Sequence, residues 1–146
     1  MKKLINVPNQ VVDEMIEGYA AAYPRHVRVL PENKRSVVSV DTVRPGKVGV
    51  LIGGGSGHEP AFMGLIGRGF VDAAPVGNVF ASPPPDPILA CTKAIDGGEG
   101  VIYMYGNYAG DCMNFDMAAE LASMEGIRVE TVLVTDDVAS SPVIEK

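Results

Sequence analysis

The run from Lys47 to Pro60, KVGVLIGGGSGHEP, constrains the fold more than any other stretch of the chain. Lys47 to Ile52 is short, apolar and ended by glycine, which reads as a buried strand. It empties into Gly53-Gly54-Gly55-Ser56-Gly57, four glycines in five positions, and then into His58, one of two histidines. Without Cβ atoms, backbone N–H groups can crowd around a ligand. Imidazole is the side chain best suited to moving protons near neutral pH. The run predicts a small-molecule site at the end of a strand, with an acid/base group built in.

The same order returns downstream. Gly100 to Tyr105 reads as a second apolar strand and Gly106-Asn107-Tyr108-Ala109-Gly110-Asp111 as its loop. Met113 to Met124 follows as a helix closed by Gly126, and Arg128 to Thr135 as a further strand. Between the two units, Asp86-Pro87 has the form of an N-cap and first helical position, with Ile88, Leu89, Thr92 and Ile95 at helical spacing and Gly97-Gly98 as the stop. Residues 9–23 read as a helix and Glu59 to Ile66 as a short one. Phe70 to Ala74 reads as a strand. Residues 75–87 hold five prolines, a poor host for a helix or a central strand. Residues 26–30 and 36–40 alternate, as edge strands or irregular chain. Met104, Met113, Met117 and Met124 read as core filling.

Strand, glycine loop, helix and strand again predict one α/β domain over residues 1–146, with a mainly parallel sheet flanked by helices. Ligands in such sheets bind outside the carboxyl ends of the strands. The loops at 53–58 and 106–111, with Thr135 to Asp137, should share that edge.

The formal net charge of −6, with no basic stripe, argues against nucleic acid and against an anionic membrane surface. No stretch approaches the ~20 apolar residues of a membrane span. Cys91 and Cys112 form no C-x-x-C pair and the histidines lack zinc-ligand spacing, so the expectation is reduced thiols, no metal and a soluble, cytoplasmic chain. Ser140 to Lys146 reads as a loop-like exit, either a tail or a cut from something longer.

Known glycine-loop chemistries fit poorly. A P-loop needs a lysine near the last glycine, and none follows Gly57. A dinucleotide fingerprint accepts Gly53 and Gly55 but meets His58 at its third glycine, with Asp72 as the one candidate ribose acid. A nucleophile elbow around Ser56 also meets His58 where its second glycine belongs. What remains is a backbone cradle beside an imidazole. His58 alone could be a packing or capping residue, and His26 reads as a surface residue. Asp111 has two readings. It is an ordinary helix N-cap, worth ~1 kcal/mol, or it is a carboxylate brought to His58 by the sheet topology, able to deprotonate a hydroxyl held between them. Asn107 and Tyr108 either line that site or decorate the surface. Ser82-Pro83-Pro84-Pro85-Asp86 is most simply a rigid loop that could wall a pocket.

Taken in order, the octapeptide Gly53-Gly54-Gly55-Ser56-Gly57-His58-Glu59-Pro60, then Ser82-Pro83-x-Pro85-Asp86, Asp96-Gly97-Gly98-Glu99-Gly100, Asn107-Tyr108-x-Gly110-Asp111 with Asn114-Phe115, and Asp136-Asp137-Val138-Ala139 resemble the dihydroxyacetone kinase family, in its substrate-binding subunit or domain. The resemblance covers nearly the whole chain. It implies an acceptor-binding part of a kinase for dihydroxyacetone or a related short ketose. It implies Gly55, Ser56, Gly57 and His58 as the substrate cradle, and His58 and Asp111 as the acid/base residues. It further implies a homodimer and a substrate subunit of two α/β halves. This chain would bind no cofactor itself; the donor would be ATP-Mg, or an ADP recharged by the phosphotransferase system, on a nucleotide-binding partner subunit or domain.

Two departures carry consequences. The family's second half supplies a histidine that holds the substrate covalently, and no residue here can match it. The chain is therefore expected to be incomplete, to expose apolar surface that the missing half would cover, and to self-associate or take up a partner chain. Gly106 stands in the pocket where many members carry a lysine, which removes a cation and points toward slightly larger ketoses. A non-catalytic ketose-binding regulator is the alternative of a different class. A nucleotide-binding module is a third, and it predicts ATP or NAD affinity in this chain.

Overall fold

The computed structural model describes residues 2–41 and 44–136. The chain folds into a seven-stranded mixed sheet with helices on both faces. A helix α1 (Val11–Ala22) leads into β1 (Val27–Leu30) and β2 (Asn33–Ser39). Then come β3 (Gly49–Ile52), the short β4 (Gly54–Ser56) and β5 (Ala73–Val79). The remainder is α2 (Pro85–Ile95), β6 (Val101–Gly106), α3 (Ala109–Met124) and β7 (Val129–Val134). The order across the sheet is β1-β2-β5-β3-β6-β7, and β4 pairs with β5 beyond the end of β3. β5, β3, β6 and β7 run parallel, whereas β1 and β2 are antiparallel additions on one side.

Period-two alternation sorts the strand residues onto two cores. Leu51, Val101, Tyr103 and Tyr105 face α2 and α3, where Ile88, Cys91, Ile95 and Phe115 meet them. Val37, Ala74 and Val76 face α1 through Val12 and Ile16. Helices on both faces are what a parallel sheet requires. All carboxyl ends of the parallel strands then open on one edge.

Several expectations needed correction. Residues 26–44 contain β1, which is an edge strand, but β2 is an inner strand between β1 and β5. Residues 73–79 form a central strand despite Pro75. Pairing with β3 stops at Leu51↔Ala73 and resumes with β4 at Gly54↔Val76, so Pro75 falls where no N–H is called for. Glu59 to Ile66 makes only a 3-10 turn, Met63–Leu65. The Phe62 ring is drawn onto the Gly54 backbone, and the Glu59 carboxylate turns back to accept the Gly57 N–H at 2.9 Å. α2 starts at Pro85 with Pro84 as its N-cap, so Asp86 lies inside the first turn and caps nothing. Met113, Met117 and Met124 are 61, 49 and 82% exposed, because Phe115, Ala118 and Ala122 occupy the buried face of α3. Helical spacing alone does not say which of two apolar faces is buried.

His26 is exposed. Among the described residues no helix is long and apolar enough to cross a membrane, and no three acidic, histidine or cysteine side chains cluster to hold a metal. Asp137, the Asp137-Val138-Ala139 part of the last resembling run and the exit at 140–146 lie outside the described residues.

Candidate active site

The site assembles from three loops at the carboxyl edge. In the first, Ser56 is 3% exposed and its hydroxyl donates to the Gly77 carbonyl at 2.7 Å, which ties β4 to β5. A Cβ on Gly55 would stand 2.6 Å from the Ala81 nitrogen, so only glycine lets the two backbones touch. Gly57 turns the chain at φ +103° and delivers His58. The imidazole is exposed and stands edge-on to two rings, Phe80 at 5.2 Å and Phe62 at 6.2 Å between centroids. Such edge-to-face contacts fix a ring's plane without engaging its nitrogens.

The second loop follows β5. The Phe80 N–H donates to the Ser56 carbonyl at 2.8 Å, and Phe80 itself sits at φ +52°. Ala81 and Ser82 come next and form a wall.

The third loop follows β6. Tyr108 folds back over Gly106, its N–H donating to the Gly106 carbonyl at 2.8 Å, and α3 begins at Ala109. Asp111 is therefore in the first turn of the helix and not at its N-cap, a position held by Tyr108. Its Oδ1 is buried and has no hydrogen-bond partner. Burial raises the Asp111 carboxyl above the usual carboxylate range, while the Ser82 hydroxyl and the His58 ring pull it partway back.

These residues enclose a cavity of about 500 Å³ lined by Gly55, His58, Ser82, Tyr108, Gly110 and Asp111. An adjoining space of about 360 Å³ reaches Met104, Gly106 and Val134 and shares His58 and Asp111. Of the residues singled out in the sequence, Gly55, His58, Tyr108 and Asp111 line the cavity, Gly106 lines the adjoining space, and Ser56 and Gly57 shape the loop behind it. Asn107 accepts the Cys112 thiol at 3.7 Å instead. The wall at 80–82 was not singled out as a site, since the proline-rich stretch concealed the strand that presents it. Its one sequence signal was the rigid Ser-Pro run.

Asp72 lies at the opposite edge, before β5, where it binds Lys47 and accepts the Val50 N–H at 2.9 Å. A ribose acid is needed at the carboxyl edge, so the dinucleotide reading loses its acid. A partly desolvated carboxylate facing an imidazole across a cavity of this size can hold a small polyhydroxy compound and take a proton from one of its hydroxyls.

Known proteins share this fold. The Dak1 domain matches residues 17–146. The chain belongs to the Dak1 domain family. It is 51% identical over 145 residues to the dihydroxyacetone-binding subunit DhaK of PTS-dependent dihydroxyacetone kinase 2 from Listeria innocua, covering 99% of this chain and 44% of that one. It is 46% identical to D-erythrulose kinase from Mycolicibacterium smegmatis, covering 97% of this chain and 24% of the relative. Among solved structures, dihydroxyacetone kinase from C. freundii in complex with AMP-PNP and Mg2+ superposes with a TM-score of 0.87 at 38% identity, over 94% of this chain and 26% of that one. The chain thus spans less than half the length of these relatives.

Proposed function

We propose that this chain is the acceptor-binding part of a kinase that phosphorylates a hydroxyl of dihydroxyacetone or a related short ketose. The observation that carries the reading is the buried, unpartnered Oδ1 of Asp111 in the same cavity as His58. A free acceptor oxygen at that place suits a substrate hydroxyl that must lose its proton as the phosphoryl group arrives. Asp111 takes the proton. His58 shares it or steadies the developing charge. Gly55 offers backbone to the ketose, Ser56 and Gly57 hold that backbone in place, and Gly106 leaves room beside it.

The donor is ATP-Mg, or an ADP recharged by the phosphotransferase system, on a nucleotide-binding partner. Two features of this chain favour a donor held elsewhere. The glycine loop carries no lysine, and the Ser56 hydroxyl donates to Gly77. The other partners are a second half that completes the subunit and a second copy of the chain, in the cytoplasm. Apolar side chains exposed along β7, Val132, Leu133 and Val134, together with the methionine face of α3, support a covering partner.

The test is titration of the chain with dihydroxyacetone, followed by amide chemical shifts. Ligand on the order of 10 mM saturates a weak site with a Kd near 1 mM, about −4 kcal/mol. Shifts are expected at Gly55, His58, Ser82 and Asp111. Their absence there, or shifts confined to another surface, would overturn the reading. In the completed enzyme, ketose binding without turnover would identify the regulator alternative.

A further inference from the structure

One hydroxyl in the cavity acts on the Asp111 carboxyl but has no part in the proton transfer above. Ser82 is half-buried and lines the cavity with His58 and Asp111. It is held from both sides. Upstream, the Phe80 and Ala81 N–H groups are bonded to the Ser56 and Asn78 carbonyls at 2.8 and 3.0 Å. Downstream, Pro83 is buried and α2 begins at Pro85. Facing it is the first turn of α3, where the Ser82 Cβ lies 3.5 Å from the place a Cβ on Gly110 would take. Asp111 is the next residue. The Ser82 hydroxyl makes a long bond, 3.3 Å, to the Pro83 carbonyl. Such a bond is weak, and a hydroxyl rotates freely to a better acceptor. Beside it is a carboxylate with one buried oxygen unpartnered.

We propose that Ser82 is a positioning residue for Asp111: its hydroxyl swings from the Pro83 carbonyl to one carboxylate oxygen and leaves the other turned to the acceptor hydroxyl. The catalytic meaning of this contact rests on the acceptor-binding reading above, but the contact itself does not. The other groups that face the carboxyl are His58 from the loop after β4, Tyr108 ahead of α3, and Cys112 beside it on the helix. A donor to the charged form lowers a carboxyl's proton affinity. Of the two influences that pull Asp111 down, the Ser82 hydroxyl precedes the His58 ring.

The experiment is a pH titration of the Asp111 carboxyl carbon by NMR in the whole chain, without ligand. In Ser82→Ala the midpoint should move up, with proton affinity rising several-fold. Ser82→Thr should restore the original midpoint, and Ser82→Cys, a weaker donor of nearly the same shape, should fall between. In the completed enzyme, the acidic limb of the kcat/KM profile should move up by the same amount. A Ser82→Ala or Ser82→Cys midpoint equal to that of the parent chain, with the amide spectrum otherwise unchanged, would overturn the proposal. If Ser82→Ala does not fold, the cysteine variant decides alone. Failure of dihydroxyacetone to bind the parent chain would instead count against the acceptor-binding reading and leave this titration interpretable.

Discussion

The Phe80 ring meets the His58 imidazole edge-on, with centroids 5.2 Å apart and planes at 70°. Phe80 is 71% exposed and sits at φ +52°, a conformation disfavoured for a bulky residue. A large apolar ring held this way is explained by what it orients. Removing it in Phe80→Ala should free the imidazole and weaken ketose binding by the worth of one aromatic pair, about 0.5–1.5 kcal/mol. Phe80→Gly should lose the same contact yet be the more stable variant by roughly 1 kcal/mol, because glycine accepts the positive φ. Thermal melts of the two variants, with His58 ring relaxation by NMR, check both statements. An unchanged His58 ring in Phe80→Ala would refute the orienting role.

Asp111 should separate stability from activity. Its carboxyl is raised above the ordinary value, so the folded state binds the proton more tightly than the unfolded chain. The stability tied to that proton is fully present below the unfolded carboxylate value and is lost as pH rises through the higher folded value. Asp111→Asn should therefore melt higher than the parent chain at pH 7, and the gain should shrink as pH falls toward about 4. In the completed enzyme the same variant should lose on the order of 10²–10⁴ in turnover, as should His58→Ala. Normal turnover in Asp111→Asn would show that the carboxylate is not the base.

Gly55 should tolerate no side chain. An added Cβ would stand 2.6 Å from the Ala81 nitrogen, and both partners are backbone. Gly55→Ala should cost about 1–3 kcal/mol in denaturant unfolding and widen the cavity between His58 and Ser82. Gly67→Ala is the control, since a Cβ there meets nothing within 4 Å. Equal losses in the two variants would contradict the close-approach account.

The hydroxyls of Thr92 and Tyr103 lie 2.5 Å apart, and both side chains are fully buried. Thr92 also bonds the Ile88 carbonyl at 2.8 Å. Burial pushes the Tyr103 phenol up to about 12. Tyr103→Phe leaves Thr92 with its backbone acceptor and should cost about 0.5–1.5 kcal/mol. Thr92→Val leaves the phenol stranded and should cost more, about 1–3 kcal/mol. Unfolding curves showing the reverse order would mean that the phenol has another partner.

The exposed methionines of α3 predict how the chain behaves alone. Met117→Glu with Met124→Lys should leave the melting temperature within a few degrees, because neither side chain packs inside. Self-association in sedimentation experiments should fall. Unchanged association would place the sticky surface elsewhere, with the exposed edge of β7 as the next candidate.

Much of the site was legible in the sequence because it sits where strands end. Glycine clusters and short apolar runs are local signals, and they mark strand ends directly. The right-handed crossover rule then brings successive loops to one edge, which is why His58 and Asp111 could be paired before any contact was known. The wall at 80–82 was legible only at Ser82, as the start of a rigid run that could wall a pocket. Proline argued against a strand at 73–79, and without that strand nothing presents Phe80 or Ser82 to the cavity.

By itself the sequence determined the α/β class, a mainly parallel sheet, and the common edge of the two glycine-rich loops, since periodicity and turn chemistry depend on neighbours along the chain; the order β5-β3-β6-β7 did not follow from it. Tertiary structure alone decided what depends on neighbours across it. Pro75 is accepted because β3 ends and β4 begins opposite it. Met113 and Met117 face outward because Phe115 and Ala118 fill the space beneath α3. Asp111 keeps a buried oxygen free because the first turn of α3 packs under Ser82 and Tyr108, and burial of a carboxylate is a property of the packed surroundings, not of the residues beside it in the chain.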